Sequence, residues 1–167
     1  NMKKITFLLL FITITYSVKA QFSEGFEDGI PNDWSVINNG SANGWVQNTD
    51  PSGGALGGTS VASITYGTIA HDDYLITPPI TVSAGVNDFL LFNIKSRTST
   101  YTESYEILLS TTDALEASFT VELQASSAAP AVWTANSFDL SSYVGQTVYV
   151  AVKATDTDKF ELYVDDV

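Results

Sequence analysis

The chain has 167 residues, one histidine, no cysteine, and a formal net charge of −12 from 19 acidic and seven basic residues. A surface this acidic repels nucleic acid and anionic membranes and favours cations that bridge carboxylates, although acidity can also serve solubility alone. The lack of cysteine excludes a disulfide framework and a cysteine nucleophile.

Residues 1–20 have the three parts of a secretory signal peptide. Met2-Lys3-Lys4 is the basic start, ITFLLLFITIT is an apolar stretch too short to span a membrane, and Val18-Lys19-Ala20 is a small-x-small cleavage site before Gln21. We expect Asn1 not to be native. The predicted mature domain, 21–167, is secreted or attached to the outer surface without membrane insertion, and we expect it to be the N-terminal part of a longer protein.

The mature chain consists of short alternating runs rich in Thr, Val, Tyr and Ile, separated by Gly, Asn, Asp and Ser, which is typical of an all-β sandwich. No stretch has the pattern of a long amphipathic helix; at most 112–117 forms one turn. The predicted strands, in chain order, are 22–26, 34–37, 44–47, 60–66, 74–82, 89–96, 104–110, 120–125, 137–140, 147–154 and 160–164.

Several of these strands alternate cleanly between apolar and more polar residues. The apolar positions are Leu90, Phe92 and Ile94; Tyr105, Ile107 and Leu109; Val148, Val150 and Val152; and Phe160, Leu162 and Val164. Sheets that bury one face and expose the other show this period. We therefore predict two antiparallel sheets packed in jelly-roll order. The Gly- and Asn-rich segment 38–59 is either a binding loop or a flexible insertion.

Motifs for catalysis are missing from the sequence. It has no G-x-S-x-G, H-E-x-x-H or Walker motif, and its one histidine, His71, is expected to be a solvated residue at a strand edge. Asp156 and Asp158 fit a charged hairpin turn better than a metal loop. The sequence predicts a domain that is not an enzyme and has no catalytic residues.

Pairs of acids stand near both ends of the mature chain. FEDGIPNDW contains Glu27 and Asp28, and FELYVDDV ends with Asp165 and Asp166. The first and last strands of a jelly roll are commonly neighbours, so the four acids are expected to lie side by side. Ca²⁺ prefers carboxylate and carbonyl oxygens and would convert their repulsion into attraction. The alternative is that these acids simply point into water.

Four motifs together carry a resemblance. FEDGIPNDW, NGW at 43–45, DDYLITPPI at 72–80 and LYVDDV at the end occur in the order and spacing of the cleaved-adhesin family. This family comprises jelly-roll domains of exported Bacteroidetes proteins, is also found in the adhesin regions of gingipains, and is close to the choice-of-anchor domains. The resemblance covers 21–167. It implies a sandwich like galactose-binding and MAM-type modules, structural calcium, and adhesion to glycans or proteins.

The resemblance also implies a set of metal ligands. Glu27 and one or both of Asp165 and Asp166 would bind a terminal calcium, completed by carbonyl oxygens of the 57–60 loop, while Asp28 is a further candidate or only starts the turn. Related domains often have an acid-rich loop before the Gly-Trp pair, but this chain has INNGSANGW, so a second calcium is not expected to bind there strongly. Asp73 either caps a turn or is an additional metal ligand.

Three tyrosines are candidates for stacking against sugar rings. Tyr149 and Tyr163 are out of phase with the apolar residues of their strands, and Tyr101 lies in a polar loop. The favoured alternative for each is ordinary half-buried packing against a neighbouring strand. Two function classes follow: a calcium-stabilised adhesion module for extracellular glycans or host and matrix proteins, and a carbohydrate-binding accessory module of a larger secreted hydrolase or protease. Other domains of the same polypeptide are expected as partners.

Overall fold

A computed structural model describes residues 22–167, so the predicted signal peptide lies outside the described residues. The described chain is almost entirely β-structure, with short 3₁₀ turns at Glu116–Ser118 and Ser141–Tyr143. No helix within 22–167 has the length and apolar character needed to cross a membrane. The strands are β1 Ser35–Asn38, β2 Val46–Asn48, β3 Val61–Thr65, β4 Asp73–Ile76, β5 Ile80–Thr81, β6 Phe89–Ser96, β7 Ser104–Ser110, β8 Val121–Ala128, β9 Thr134–Asp139, β10 Thr147–Ala154 and β11 Glu161–Asp165.

The strands form two antiparallel sheets, which confirms the predicted fold class. One sheet has the order β1-β4-β10-β7-β8, with β5 also pairing with β10, and the other has the order β2-β3-β11-β6-β9. Neighbours in each sheet are mostly far apart in sequence, since β10 lies between β4 and β7 and β11 lies between β3 and β6. The first is the six-stranded sheet and the second is the five-stranded sheet.

The core lies between the sheets and is built by the predicted alternation. Leu90, Phe92 and Ile94 of β6 are buried, as are the matching positions of β7 and β10. A smaller apolar cluster covers part of the outer face of the six-stranded sheet; it contains Tyr74, Ile76, Phe119 and Ala151. Because β4 packs on both faces, Leu75 and Ile76 are both fully buried.

The two chain ends meet, but not through paired first and last strands. Residues 22–26 are not a strand, and β1 and β11 belong to different sheets. The contact is a reciprocal pair of backbone hydrogen bonds: Glu24 N–H donates to Val167 O at 2.8 Å, and Val167 N–H donates to Glu24 O at 2.9 Å. The predicted neighbourhood is therefore correct, although the predicted strand is wrong.

Three further differences concern strand ends. The run predicted as one strand over 74–82 divides into β4 and β5 around Thr77-Pro78-Pro79, because proline has no N–H for the ladder. Phe160 lies just before β11 and is 36% exposed, so it does not continue the buried row. Asp156 and Asp158 connect strands of opposite sheets, so the predicted hairpin is a crossing between sheets.

Candidate functional site

The N-terminal motif FEDG forms a tight turn against the core. Gly29 N–H donates to Phe26 O at 3.2 Å, and Gly29 has φ of 104°, which is a conformation that glycine adopts readily. Phe26 is fully buried and contacts Trp34 edge to face at 5.2 Å between ring centroids. This anchor places the Glu27 side chain against the 57–60 loop and leaves Asp28 exposed in the turn.

The Glu27 carboxylate is held by hydrogen-bond donors of the 57–60 loop. Thr59 N–H, Thr59 O–H and Ser60 N–H all donate to it, at 2.9 to 3.1 Å. The Ser60 backbone bond, followed by the Thr59 bonds, lowers the pKa of Glu27. The loop approaches closely because it contains glycine: a Cβ at Gly58 would stand 2.2 Å from Glu27 Oε1.

Asp165 and Asp166 reach the same loop from the end of β11. Asp165 is fully buried and its Oδ2 accepts Leu56 N–H at 2.8 Å and Gly57 N–H at 3.4 Å. Burial raises the pKa of Asp165, and the neighbouring Asp166 carboxylate raises it further, against the lowering effect of these bonds. Asp166 crowds Gly57, where a Cβ would stand 2.9 Å from its Oδ1. Glu27, Asp165 and Asp166 are called the terminal carboxylate site below.

The chemistry of the terminal carboxylate site fits a calcium ion in part. It offers only oxygen ligands, and a Cβ at Gly25 would stand 3.6 Å from Asp166 Oδ1 and 3.8 Å from Asp165 Oδ1, so these two carboxylates face the same glycine backbone. Within residues 22–167 no three acidic, histidine or cysteine side chains form a ready metal cluster. Backbone carbonyls or water would therefore have to complete a calcium shell, and Glu27 would have to exchange N–H donors for the ion.

Asp73 and His71 form a second buried polar contact, and here one prediction is wrong. His71 is 4% exposed, not solvated, and its Nδ1 lies 2.6 Å from Asp73 Oδ2. Asp73 also accepts the N–H groups of Asn39 and Gly40 at 3.0 and 3.2 Å. Asp73 thus ties the INNG turn to β4, as the capping alternative predicts.

The three candidate tyrosines have different surroundings. Tyr163 lies on the outer face of the five-stranded sheet, as its phase predicts, but it is fully buried and not open to a sugar, because the 49–60 loop and Trp133 cover that face. Tyr149 is half-buried against the outer cluster of the six-stranded sheet. Tyr101 is 47% exposed and is the one of the three that is open to a ligand.

Tyr101 belongs to an exposed group of aromatic rings at one end of the sandwich. Its ring contacts Phe160 edge to face at 5.1 Å between centroids, and the Tyr66 ring also contacts Phe160 edge to face at 6.4 Å. Tyr66 N–H donates to Phe160 O at 2.8 Å, which fixes the two rings side by side at the ends of β3 and β11. Tyr66, Tyr101 and Phe160 are called the aromatic patch. A cavity of about 250 Å³ between them is rimmed by Asp158 and Lys159.

A larger polar pocket of about 740 Å³ adjoins the aromatic patch on the outer face of the five-stranded sheet. Its walls are residues 48–55 and 58–59, and its floor is Arg97 and Glu161. Arg97 Nη1 lies 3.4 Å from Glu161 Oε2, and the Arg97 guanidinium carbon lies 5.3 Å from the centroid of the Phe160 ring. Arg97 therefore belongs to both surfaces. No sequence motif marks Arg97; its only signal is that it is one of four basic residues after position 20.

The loop that walls the polar pocket is fixed along its length. Lys95 Nζ donates to Ser52 O at 2.6 Å, Trp133 Nε1 donates to Gly54 O at 3.1 Å, and Ser52 N–H donates to Tyr163 Oη at 3.3 Å. Tyr163 O–H in turn donates to Glu161. Further along, the same loop contacts the terminal carboxylate site. Segment 49–60 is therefore not a flexible insertion; it joins the pocket to the carboxylates.

The inner end of the six-stranded sheet holds a buried acid that sequence reasoning missed. Glu103 is 1% exposed, and neither of its carboxylate oxygens has a hydrogen-bond partner within residues 22–167. Asp156 is nearby: its side chain accepts the N–H of Ser104, the next residue, and its carbonyl accepts His71 N–H at 2.9 Å. Burial, followed by the charge of Asp156, raises the pKa of Glu103 to about 7. Its even spacing from Tyr105, Ile107 and Leu109 was the available signal that it points inward.

This geometry can be compared with known proteins. The family model described as Cleaved Adhesin Domain matches residues 19–167. The chain belongs to the cleaved adhesin domain family. Hemagglutinin A of Porphyromonas gingivalis strain ATCC BAA-308 / W83 is 29% identical to this cleaved adhesin domain over 191 aligned residues, which cover 93% of this chain and 9% of the relative. The chain thus spans about a tenth of the length of that relative.

Solved structures agree with the family and the fold. The K3 cleaved adhesin domain of Lys-gingipain from Porphyromonas gingivalis superposes with a TM-score of 0.74 at 25% identity, over 89% of this chain and 97% of that one. TmCBM61 in complex with β-1,4-galactotriose superposes with a TM-score of 0.60 at 16% identity, over 85% and 90% of the two chains. The latter similarity shows that this cleaved adhesin domain shares a fold with a carbohydrate-binding module.

Proposed function

We propose that this cleaved adhesin domain is an exported adhesion module that binds extracellular glycans or proteins and is stabilised by calcium. The observation that carries the binding part is the aromatic patch, where Tyr66, Tyr101 and Phe160 are 36 to 47% exposed at one end of the sandwich. Aromatic faces provide flat contact area, and the charged rim of Asp158 and Lys159 can hydrogen-bond to hydroxyl or peptide groups. We assign the domain no catalytic role.

A glycan array probed with the purified chain tests the binding proposal. We expect binding to one or more extracellular glycans that falls at least tenfold in Tyr101→Ala. Phe89→Ala is the matched control, because Phe89, the first residue of β6, is a similarly exposed aromatic residue that is not part of the patch. Equal loss in both variants, or undiminished binding by Tyr101→Ala, would contradict a role for the patch.

The calcium part is supported by the terminal carboxylate site. The buried Asp165 stands beside Asp166, and a cation between them would offset both the burial of one charge and its repulsion by the other. When bound, calcium would tie the end of β11 to the 57–60 loop through Asp165 and Asp166, with Glu27 as a third ligand. Asp28 and Asp73 lie elsewhere, in an exposed turn and a filled hydrogen-bond network, and are weaker candidates.

Thermal unfolding with and without chelation tests this site. We expect EDTA to lower the Tm and added Ca²⁺ to restore it, because a ligand that binds only the folded state stabilises it by mass action. Asp166→Asn should reduce the difference between the two curves, whereas Glu122→Asn, at an exposed position of β8, should leave it unchanged. Identical curves for the native chain with EDTA and with Ca²⁺ would refute calcium binding.

A second candidate function is a carbohydrate-binding accessory module of a larger secreted hydrolase or protease. It is favoured by the shared fold with TmCBM61, whose structure contains β-1,4-galactotriose, and by the similarity to a domain of Lys-gingipain. The two candidates differ in their neighbours within the full-length polypeptide. Further adhesin repeats would support the adhesion module, and a hydrolase domain would support the accessory module.

A further inference from the structure

We propose that the polar pocket over Arg97 and Glu161 is a carbohydrate subsite for a neutral sugar, and that it continues into the aromatic patch through Arg97. This inference rests on the proposed glycan-binding function and names where and what kind of sugar is bound. The pocket binds the hydroxyl groups of one sugar ring, and the aromatic patch contacts the face of the neighbouring sugar ring.

The size and lining of the pocket fit a polar ligand. At about 740 Å³ it lies within the range of small-molecule sites, roughly 300–1,000 Å³. Its walls are mainly backbone, Asn48, Thr49 and Asp50 with the glycines that follow, so N–H and carbonyl groups are close to the space. Such walls offer an apolar ligand little apolar surface to contact. Sugar hydroxyls, which both donate and accept hydrogen bonds, match them.

Arg97 and Glu161 supply the directional contacts. The Arg97 side chain is 44% exposed and its bond to Glu161 is long, at 3.4 Å, so guanidinium N–H groups remain available to an incoming oxygen. Glu161 is 14% exposed at the side chain and is oriented by Tyr163 O–H and by Thr65 O–H, at 3.5 Å in the latter case. An oriented carboxylate beside a partly exposed guanidinium presents an acceptor and several donors in one pocket, and hydrogen bonds from sugar hydroxyls to such charged groups are stronger than neutral ones.

The charge of the pocket selects a neutral sugar. Asp50 and Glu161 line the pocket and Glu27 contacts its wall at Gly58, so acids outnumber the two nearby cations, Arg97 and Lys95, and the whole chain carries a net charge of −12. A sulfated or uronic acid residue would be repelled by this field. The site therefore favours hydroxyl-rich neutral rings.

The pocket is also preorganised. Hydrogen bonds to Lys95, Trp133 and Tyr163 fix residues 52–54 of its wall. Lys95 and Trp133 also form a cation–π contact, with Nζ 5.6 Å from the ring centroid. A wall that is already ordered loses little conformational entropy when a ligand binds. The mainly apolar groove of about 490 Å³ near Phe89 and Leu91 is lined by the acids Asp88 and Asp166 but by no basic side chain, and it serves as the control surface.

The test compares Arg97→Gln with the native chain on an array containing neutral, sulfated and uronic acid glycans, followed by titration of the strongest ligand. We expect neutral glycans to bind, and affinity to fall tenfold or more in Arg97→Gln but to stay unchanged in Leu91→Gln at the control surface. Arg97→Lys keeps the charge but not the forked donors and should recover only part of the affinity. Melting curves of each variant verify folding.

Each other outcome has a definite meaning. Undiminished glycan binding by Arg97→Gln would overturn the pocket while leaving the proposed adhesion function intact. Binding restricted to sulfated or uronic acid glycans would overturn the neutral class. Binding of proteins but of no glycan would overturn this inference and reduce the proposed function to protein adhesion. Absence of any binding would contradict both.

Discussion

Removal of the buried Glu103 carboxylate by Glu103→Gln is expected to abolish a pH dependence of stability. In the folded domain Glu103 keeps its proton up to about pH 7, because its oxygens are buried without a partner and Asp156 is nearby. In the unfolded chain the same carboxyl ionises near its ordinary pKa of 4.5. Between these pH values the folded state binds one more proton than the unfolded state, so stability falls as the pH rises.

The size of the effect follows from that interval. Each pH unit over which one proton is bound only in the folded state corresponds to about 1.4 kcal/mol. From pH 4.5 to about 7 the native domain should therefore lose about 3 kcal/mol through Glu103. Above that range the group is ionised in both states and contributes no further slope. Glutamine has nearly the same shape and does not titrate, so the variant lacks this loss.

Urea unfolding monitored by tryptophan fluorescence measures this loss of stability, since the chain has three tryptophans. The free energy of unfolding of Glu103→Gln minus that of the native domain should increase by about 3 kcal/mol between about pH 4.5 and pH 7.5. Taking this difference removes the contribution of groups that do not interact with Glu103, and Glu122→Gln controls for the loss of one acidic side chain. Parallel pH profiles for the native domain and Glu103→Gln would refute the assignment.

Two other predictions concern the 49–60 loop. Gly58→Ala should destabilise the domain more than Gly54→Ala: both glycines have φ near +80°, where alanine costs about 1–2 kcal/mol, but only at Gly58 would the new methyl group collide with Glu27, at 2.2 Å. Equal Tm values for the two variants would show that the Glu27 contact is unimportant. Trp133→Phe should lower stability by about 1 kcal/mol and weaken any glycan binding, because it removes the hydrogen bond to Gly54 O. Val132→Ala, next to it and 68% exposed, is the control that should change neither.

Alternation along a strand predicted the core well because the period of two fixes which side chains face the other sheet. The bounds of β6, β7 and β10 were predicted to the residue, and their inward rows are buried. The same period did not predict the burial of Tyr163, since it identifies the outer face of a strand but not what covers that face. Here a Gly- and Ser-rich loop with no period of its own folds over Tyr163.

The candidate site was only partly predictable for a related reason. The meeting of FEDG and VDDV was predicted correctly but from a pairing of first and last strands that does not occur, and the structure brings Glu27, Asp165 and Asp166 to one loop. The burial of His71 was missed because it depends on Asp73 two residues later and on the neighbouring turn, not on hydropathy. The aromatic patch is formed by residues from three separate segments of the chain, so no local sequence pattern predicts it.

The 49–60 loop links the polar pocket to the terminal carboxylate site. One end of this loop receives hydrogen bonds from Lys95 and Trp133 beside the polar pocket, and the other end donates to Asp165 and Glu27. A calcium ion bound at the terminal carboxylate site would contact the same loop that forms a wall of the pocket. A sugar and a cation that both favour the loop conformation seen here would therefore reinforce each other's binding without a change in fold.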